Sequence, residues 1–249
     1  MTVAVELFTE IISAVRGLVA GTSGRRSWTA GKDLSWPRGG KRNIVLKEDM
    51  GLELGSPLKE SVSCLLWTHD INSIEDGIIT LVGPDFPECM GQSLPFGKVV
   101  LVGVEGFTQD NAYDRHRELD FLRYSIDLKG FMMRSVSQYM REWCRISVEA
   151  VRQGFSVRIL GSALINLFHE TPFVKRVEVI CLTSSPGDVV RLREITSPAE
   201  RIIAAMNKMA GEFDYDCTSC DYRDVCDESD ALRGMRDRLV ERQKGVDIG

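Results

Sequence analysis

The sequence predicts a mixed α/β fold: a strand-rich N-terminal half, helices and a β-α-β unit in the C-terminal half, and a terminal cysteine cluster. Two observations carry this. Short apolar or alternating runs bounded by turn residues fill the stretch from Asn43 to Gly106. From about Asn111 apolar residues recur at helical spacing instead. The chain has 249 residues, 43% of them hydrophobic and 27% charged, so it can bury a substantial core.

The elements follow in order. Leu7, Ile11, Val15, Leu18 and Val19 recur on one face between Val3 and Ala20, and Glu6 and Glu10 interrupt the run. The stretch reads as an amphipathic helix, not a signal peptide. Gly21–Lys41 reads as a linker arm. Arg25, Arg26, Lys32, Arg38, Lys41 and Arg42 make it locally basic, with Trp28 and Trp36 interleaved. A solvated arm anchored by two aromatics is favoured over a nucleic-acid arm. Strands are expected at Ile44–Leu46, Leu52–Leu54, Val62–Trp67, Ile78–Val82 and Val99–Val104.

Tyr113–Leu128 reads as a helix. A second helix is expected to present Val136, Met140, Trp143, Ser147, Ala150 and Val151 on one side and to stop at Gly154. A strand at Phe155–Leu160, a helix at Ser162–Glu170 and a strand at Val177–Thr183 would form the β-α-β unit. Ser197, Pro198 and Glu200 spell a helix start with a capping box. A last charged helix is expected at about 229–244. The expected units are residues 1–42 (helix and arm), 43–212 (α/β domain) and 213–249 (cysteine cluster and helix).

Net charge is −5, which argues against a general nucleic-acid binder. No apolar run reaches bilayer length, so no membrane role is expected and the cytoplasm is the expected compartment. There the seven cysteines would be reduced. Three of them, Cys217, Cys220 and Cys226, form a C-x2-C-x5-C spacing. Two cysteines two residues apart direct both sulfurs to one point, and the third closes the loop. That pattern suits an iron–sulfur cluster, with zinc or no metal as the alternatives. Three thiolates are one short. Cys89, in the loop Pro84–Pro95, is the most available fourth ligand in this chain, since Cys64 and Cys181 sit in apolar strand runs. A partner chain or a non-thiolate group could also complete the set.

His69, His116 and His169 are isolated, and no P-loop, GxGxxG or Ser/His/Asp arrangement occurs. The carboxylates around the cysteines read as surface charge facing a partner.

Residues from about Asn43 to Cys220 resemble the middle domain of acetyl-CoA synthase, the beta subunit of the CO dehydrogenase/acetyl-CoA synthase complex. The landmarks are Lys47-Glu48-Asp49-Met50 with Glu53-Leu54-Gly55, then Asp76-Gly77-Ile78, Val82-Gly83-Pro84-Asp85 and Leu94-Pro95-Phe96-Gly97. Arg115–Tyr124, Trp143 with Arg145-Ile146-Ser147, and Ala150–Phe155 follow in the same order. The resemblance places Cys217 and Cys220 where that family begins its Fe4S4 ligands. It therefore favours a [4Fe–4S] cluster over zinc.

The resemblance has departures. The family's nickel-binding Cys-Gly-Cys is absent, and Cys226 is the last cysteine. The resemblance thus implies an accessory subunit of an anaerobic acyl-CoA or one-carbon complex, not catalytic alone. It also implies coenzyme A or a CoA thioester as a ligand, with Arg134, Arg141 and Arg145 as phosphate contacts. The competing view of those arginines is the solvated side of an amphipathic helix. If the chain is an enzyme, its reaction is CoA-dependent acyl transfer. A protein partner, another copy included, is expected in either case. A zinc-stabilised interaction module is the third reading.

Overall fold

A computed structural model describes residues 5–32, 35–56, 58–135, 140–211 and 220–246. Two sheets carry the architecture. The first contains β1 (Arg25–Thr29), β3 (Ser61–Thr68), β4 (Ile78–Val82), β6 (Phe96–Val104) and β9 (Val174–Leu182), in the order β1-β4-β9-β6-β3. β4 and β9 are parallel, as are β3 and β6, while the β1–β4 and β6–β9 pairs are antiparallel. The second contains β2 (Met50–Leu54), β5 (Ser93–Leu94), β7 (Phe131–Ser135) and β8 (Glu142–Ser147), in the order β5-β2-β8-β7.

The sequence explains why these strands lie where they do. Every residue of β3 and of β6 is buried. Near-continuous apolar runs such as Val99–Val102 suit strands covered on both faces. The covering helices are α1 (Thr9–Gly21), α4 (Val157–His169) and α5 (Pro186–Gly211): α4 lies on β4 and β9, α5 on β3 and β6, and α1 beside α5. α4 approaches closely because Gly161 faces Ile79, where a Cβ would come within 2.8 Å of that side chain. α1 buries Ile11, Ile12, Val15, Leu18 and Val19, the apolar face its spacing predicts, and its Arg16 is ion-paired with Glu178 on β9.

β8 alternates strictly between buried and half-buried positions, so only one of its faces joins the core. Glu142 on that face is fully buried and lies 2.6 Å from the Lys98 ammonium of β6. Ser63 of β3 donates to the other carboxylate oxygen at 2.6 Å, and Arg123 donates to Ser63 Oγ at 3.1 Å. Arg123 follows α2 (Ala112–Leu122) and is held by Asp120 at 2.6 Å. Nearby, Met140 adopts a left-handed backbone (φ 47°), and its carbonyl accepts from the Ser63 N–H. Both contacts tie the β7–β8 hairpin to the first sheet.

The strands expected at Leu52–Leu54, Val62–Trp67, Ile78–Val82 and Val99–Val104 form with small changes of boundary. Five expectations fail. Ile44 and Leu46 are exposed and form no strand. The arm Gly21–Lys41 contains an edge strand, β1, paired along Ile78–Val82, while Trp36 is anchored as expected, donating to the Lys129 carbonyl. The helix expected through Met140 and Trp143 is instead the hairpin β7–β8; only its last turn is helical, α3 (Val148–Arg152), with Gly154 at φ 89° behind it. Val136 lies outside the described residues.

The strand expected at Phe155–Leu160 is replaced by the first turn of α4. Phe155 is buried among Trp36, Phe86 and Phe131, and the Asp85 carboxylate, 72 positions away, accepts from the Val157 N–H. A cap supplied from so far away leaves no local signal. The parallel partner of β9 is therefore β4, not a strand just before α4. Finally, the helix expected to start at Ser197 starts twelve residues earlier, where Ser185 caps the Asp188 N–H. Val189, Leu192, Ala199, Ala205 and Met206 keep one buried face through Pro198, which outweighs the lost hydrogen bond.

Replacing Lys98 with Met should cost about 3–5 kcal/mol in chemical denaturation, because Glu142 is left buried without its cation. Lys98→Met combined with Glu142→Leu should recover most of that loss, since the buried charge is gone. A second prediction concerns His116, buried under Trp67, whose indole N–H donates to Nδ1 at 3.3 Å. Burial pushes its pKa down from 6.5 to about 4. The native state keeps the ring neutral while the denatured chain takes up a proton. Stability is therefore full above pH 6.5 and falls as pH drops towards about 4, by about 3 kcal/mol. His116→Phe should remove that part of the acid sensitivity in a denaturant–pH series.

Candidate functional site

The second sheet turns one face to the core and one away from it. On β8 the away-facing residues are Trp143 and Arg145. Cross-strand register places Arg134 of β7 opposite Trp143, and Met132 of β7 and Glu53 of β2 opposite Arg145. Residues opposite one another in register share a face. The Arg145 guanidinium lies 4.5 Å from the Trp143 ring centroid. Glu53 organises the pair: one carboxylate oxygen accepts from the Trp143 indole N–H at 2.9 Å and lies 3.5 Å from Arg145 Nε. The other accepts from Ser93 Oγ at 3.3 Å. The Arg134 side chain is exposed and makes no ion pair or hydrogen bond among the described residues. The face can therefore stack a planar group against an aromatic–guanidinium pair and offer a separate cation to an anion.

The three arginines expected as phosphate contacts divide accordingly. Arg134 and Arg145 share this face, but on two antiparallel strands, not on the side of a helix. Arg141 lies just before β8 and spends its donors on the Lys59 carbonyl at 3.1 Å and Ser61 Oγ at 3.4 Å. Glu53 was missed by sequence reasoning. Its signal was its position in β2, where it is half-buried between the buried Leu52 and Leu54.

The cysteine segment is described in part. Cys217 lies outside the described residues. Cys220 is half-buried, and its carbonyl accepts from the Arg223 N–H at the start of α6 (Arg223–Glu228). Cys226 is buried on α6, which packs on α5 and on α7 (Asp230–Val246). Cys220 precedes α6 and Cys226 lies within it, and thiols are the donor type that a thiolate-bound metal needs. Among the described residues, however, no three His, Cys, Asp or Glu side chains are grouped to hold a metal.

Cys89 does not join them. It sits in a 3-10 turn, Phe86–Cys89, beyond the Val82 end of β4, level with the start of β3. Val225, beside Cys226, lines a groove with Glu6, which binds Thr68 and His69 at the opposite end of β3. Burial, then Glu88 and Asp85, raise the Cys89 thiol pKa, which disfavours the thiolate a metal needs. Cys64, Cys144 and Cys181 are buried beside the polar core, with thiol pKa values raised by burial.

Comparison with known proteins places the chain in a family. The profile of the CO dehydrogenase/acetyl-CoA synthase complex beta subunit matches residues 39–187, which include both sheets except β1. The acetyl-CoA decarbonylase/synthase complex subunit beta of Archaeoglobus fulgidus is 27% identical over 185 residues, covering 71% of this chain and 34% of that protein. Subunit beta 1 of Methanosarcina thermophila is 28% identical over 183 residues, covering 71% and 38%. The corresponding subunit of Methanothermobacter thermautotrophicus is 29% identical over 186 residues, covering 71% and 38%. The chain thus spans little more than a third of the length of these relatives. With the profile covering more than half of its residues, the chain belongs to the CO dehydrogenase/acetyl-CoA synthase complex beta subunit family.

Proposed function

We propose that this chain is a subunit of an assembly related to acetyl-CoA decarbonylase/synthase, and that it holds coenzyme A or a CoA thioester on the exposed face of the second sheet. The observation that carries the reading is the Trp143–Arg145 stack fixed by Glu53, with Arg134 directly across the hairpin. Adenine is a planar base that suits the stack, and the phosphates of CoA suit Arg134. Relatives named as beta subunits of acetyl-CoA decarbonylase/synthase complexes support both the ligand class and the protein partners. The role is binding and presentation; acyl transfer would need groups that the described face does not offer.

Calorimetry with CoA tests the reading. Trp143→Ala and Arg134→Ala should each weaken binding by about tenfold, the worth of one stacking or charge-assisted contact. Arg141→Ala should leave affinity nearly unchanged, because that side chain is engaged elsewhere. Glu53→Gln keeps an acceptor for Trp143 and removes a charge that competes for Arg145, so it should tighten binding. Absence of CoA binding by the wild-type protein removes the proposal.

A second proposal concerns Cys217, Cys220 and Cys226. The C-x2-C-x5-C spacing, with Cys220 just before α6 and Cys226 within it, favours a [4Fe–4S] cluster whose fourth ligand comes from a partner chain or a non-thiolate group. Such a cluster would supply electron transfer or structural bracing, and α6 would hold Cys226 against α5. Anaerobically purified protein should then show broad thiolate-to-iron charge-transfer absorption in the visible, lost in Cys226→Ser. A colourless protein carrying stoichiometric zinc would sink it.

A further inference from the structure

A groove of about 890 Å³ opens between α1, α5 and the α6–α7 corner, away from the CoA face. Every residue lining it except Gln109 lies outside residues 39–187, the part matched by the family profile. The N-terminal helix and the C-terminal helices thus build a surface of their own on top of the shared core.

The chemistry of this groove is one-sided. Its floor is apolar, made by Ile11, Ile202 and Val225. Its walls carry Glu6, Glu10 and Glu228. Glu6 accepts hydrogen bonds from the His69 backbone N–H at 2.7 Å and from Thr9 and Thr68, and it has no ion-pair partner among the described residues. Glu10 and Glu228 are exposed, and neither forms an ion pair among the described residues, although Glu228 lies close enough to Arg201 to help raise its pKa. The groove's fourth carboxylate, Asp230, is paired with Arg233, and its one cation, Arg201, is taken up by Asp224. Among the described residues Glu6 and Glu10 meet no cation and Glu228 meets only Arg201, already paired with Asp224, so the slot above the apolar floor is net negative. A free metal ion would find no grouped ligands here among the described residues. A small anion would be repelled.

We infer that this groove is the docking site for a helical segment of a partner protein, one that presents an apolar stripe flanked by lysine or arginine. Helix-in-groove recognition combines these two features: apolar anchors enter the floor and charges on the rim set partner and register. The inference shares with the functional reading only the premise of a protein partner. It does not depend on the CoA face.

The test uses the full chain and a fluorescein-labelled synthetic helical peptide with leucines at i, i+3, i+4 and i+7 and lysines beside them, followed by anisotropy at low salt. Glu10→Lys/Glu228→Lys should weaken binding by about tenfold or more. Glu48→Lys/Glu170→Lys makes the same change in net charge on exposed acids outside the groove and should leave binding unchanged. A peptide with glutamate in place of lysine should not bind. Equal losses in the two double variants would overturn the inference, because attraction would then come from overall charge. So would equal binding of the glutamate peptide, or no binding by the wild-type chain. CoA titrations on the same variants should be unaffected, which separates failure of the groove from failure of the CoA reading.

Discussion

The fold hangs on a charge pair placed where a charge is expensive. Lys98 and Glu142 are both buried, one on each sheet, at 2.6 Å. Taking two charges out of water costs several kcal/mol each, repaid only when geometry and extra hydrogen bonds are good. Ser63 and Arg123 provide those bonds, so the network reaches β3 and the end of α2 as well. An apolar contact would allow the sheets to slide. A paired charge allows one arrangement, because any slip of β8 by one residue would turn Glu142 to the outer face and leave Lys98 alone. The same register sets Trp143 and Arg145 facing outwards. The candidate ligand face is thus fixed by the buried residues between its members.

The legibility of this arrangement in the sequence was uneven. Strands whose two faces are both covered announced themselves, because Val62–Trp67, broken only by Ser63, and Val99–Val104 are near-continuous apolar runs that suit a buried strand. The α1 face was equally plain. The β7–β8 hairpin was not. Residues 140, 143, 147, 150 and 151 match a helical spacing by chance, and nothing local says that Glu142 will find Lys98 more than forty residues away. The start of α4 depends on Asp85 in the same non-local manner. At α5 two Ser-Pro signals compete, and only the first is a cap; the buried face decides which.

The candidate site follows the same rule. Arg134 and Arg145 could be singled out from the sequence as candidate phosphate contacts, but their common face could not, since it is a product of strand register. Glu53 became visible only once β2 lay beside β8. Arg141 shows the converse: a guanidinium close in sequence is spent on a loop carbonyl and leaves the site. For the cysteines, spacing suggests chemistry, and placement separates Cys89 from Cys226 by the length of a strand.

The alternation along β8 has a consequence for how such a chain diverges. Positions 142, 144 and 146 are bound to the core, where almost any change disturbs packing or the ion pair. Positions 143 and 145 are tied only to Glu53 and to the outer face they share with Arg134. One strand therefore carries two independent histories. Its inner residues are held by folding, while its outer residues can drift to a new ligand without the fold registering the change. A hairpin of this kind can change the chemistry of its outer face and keep its architecture.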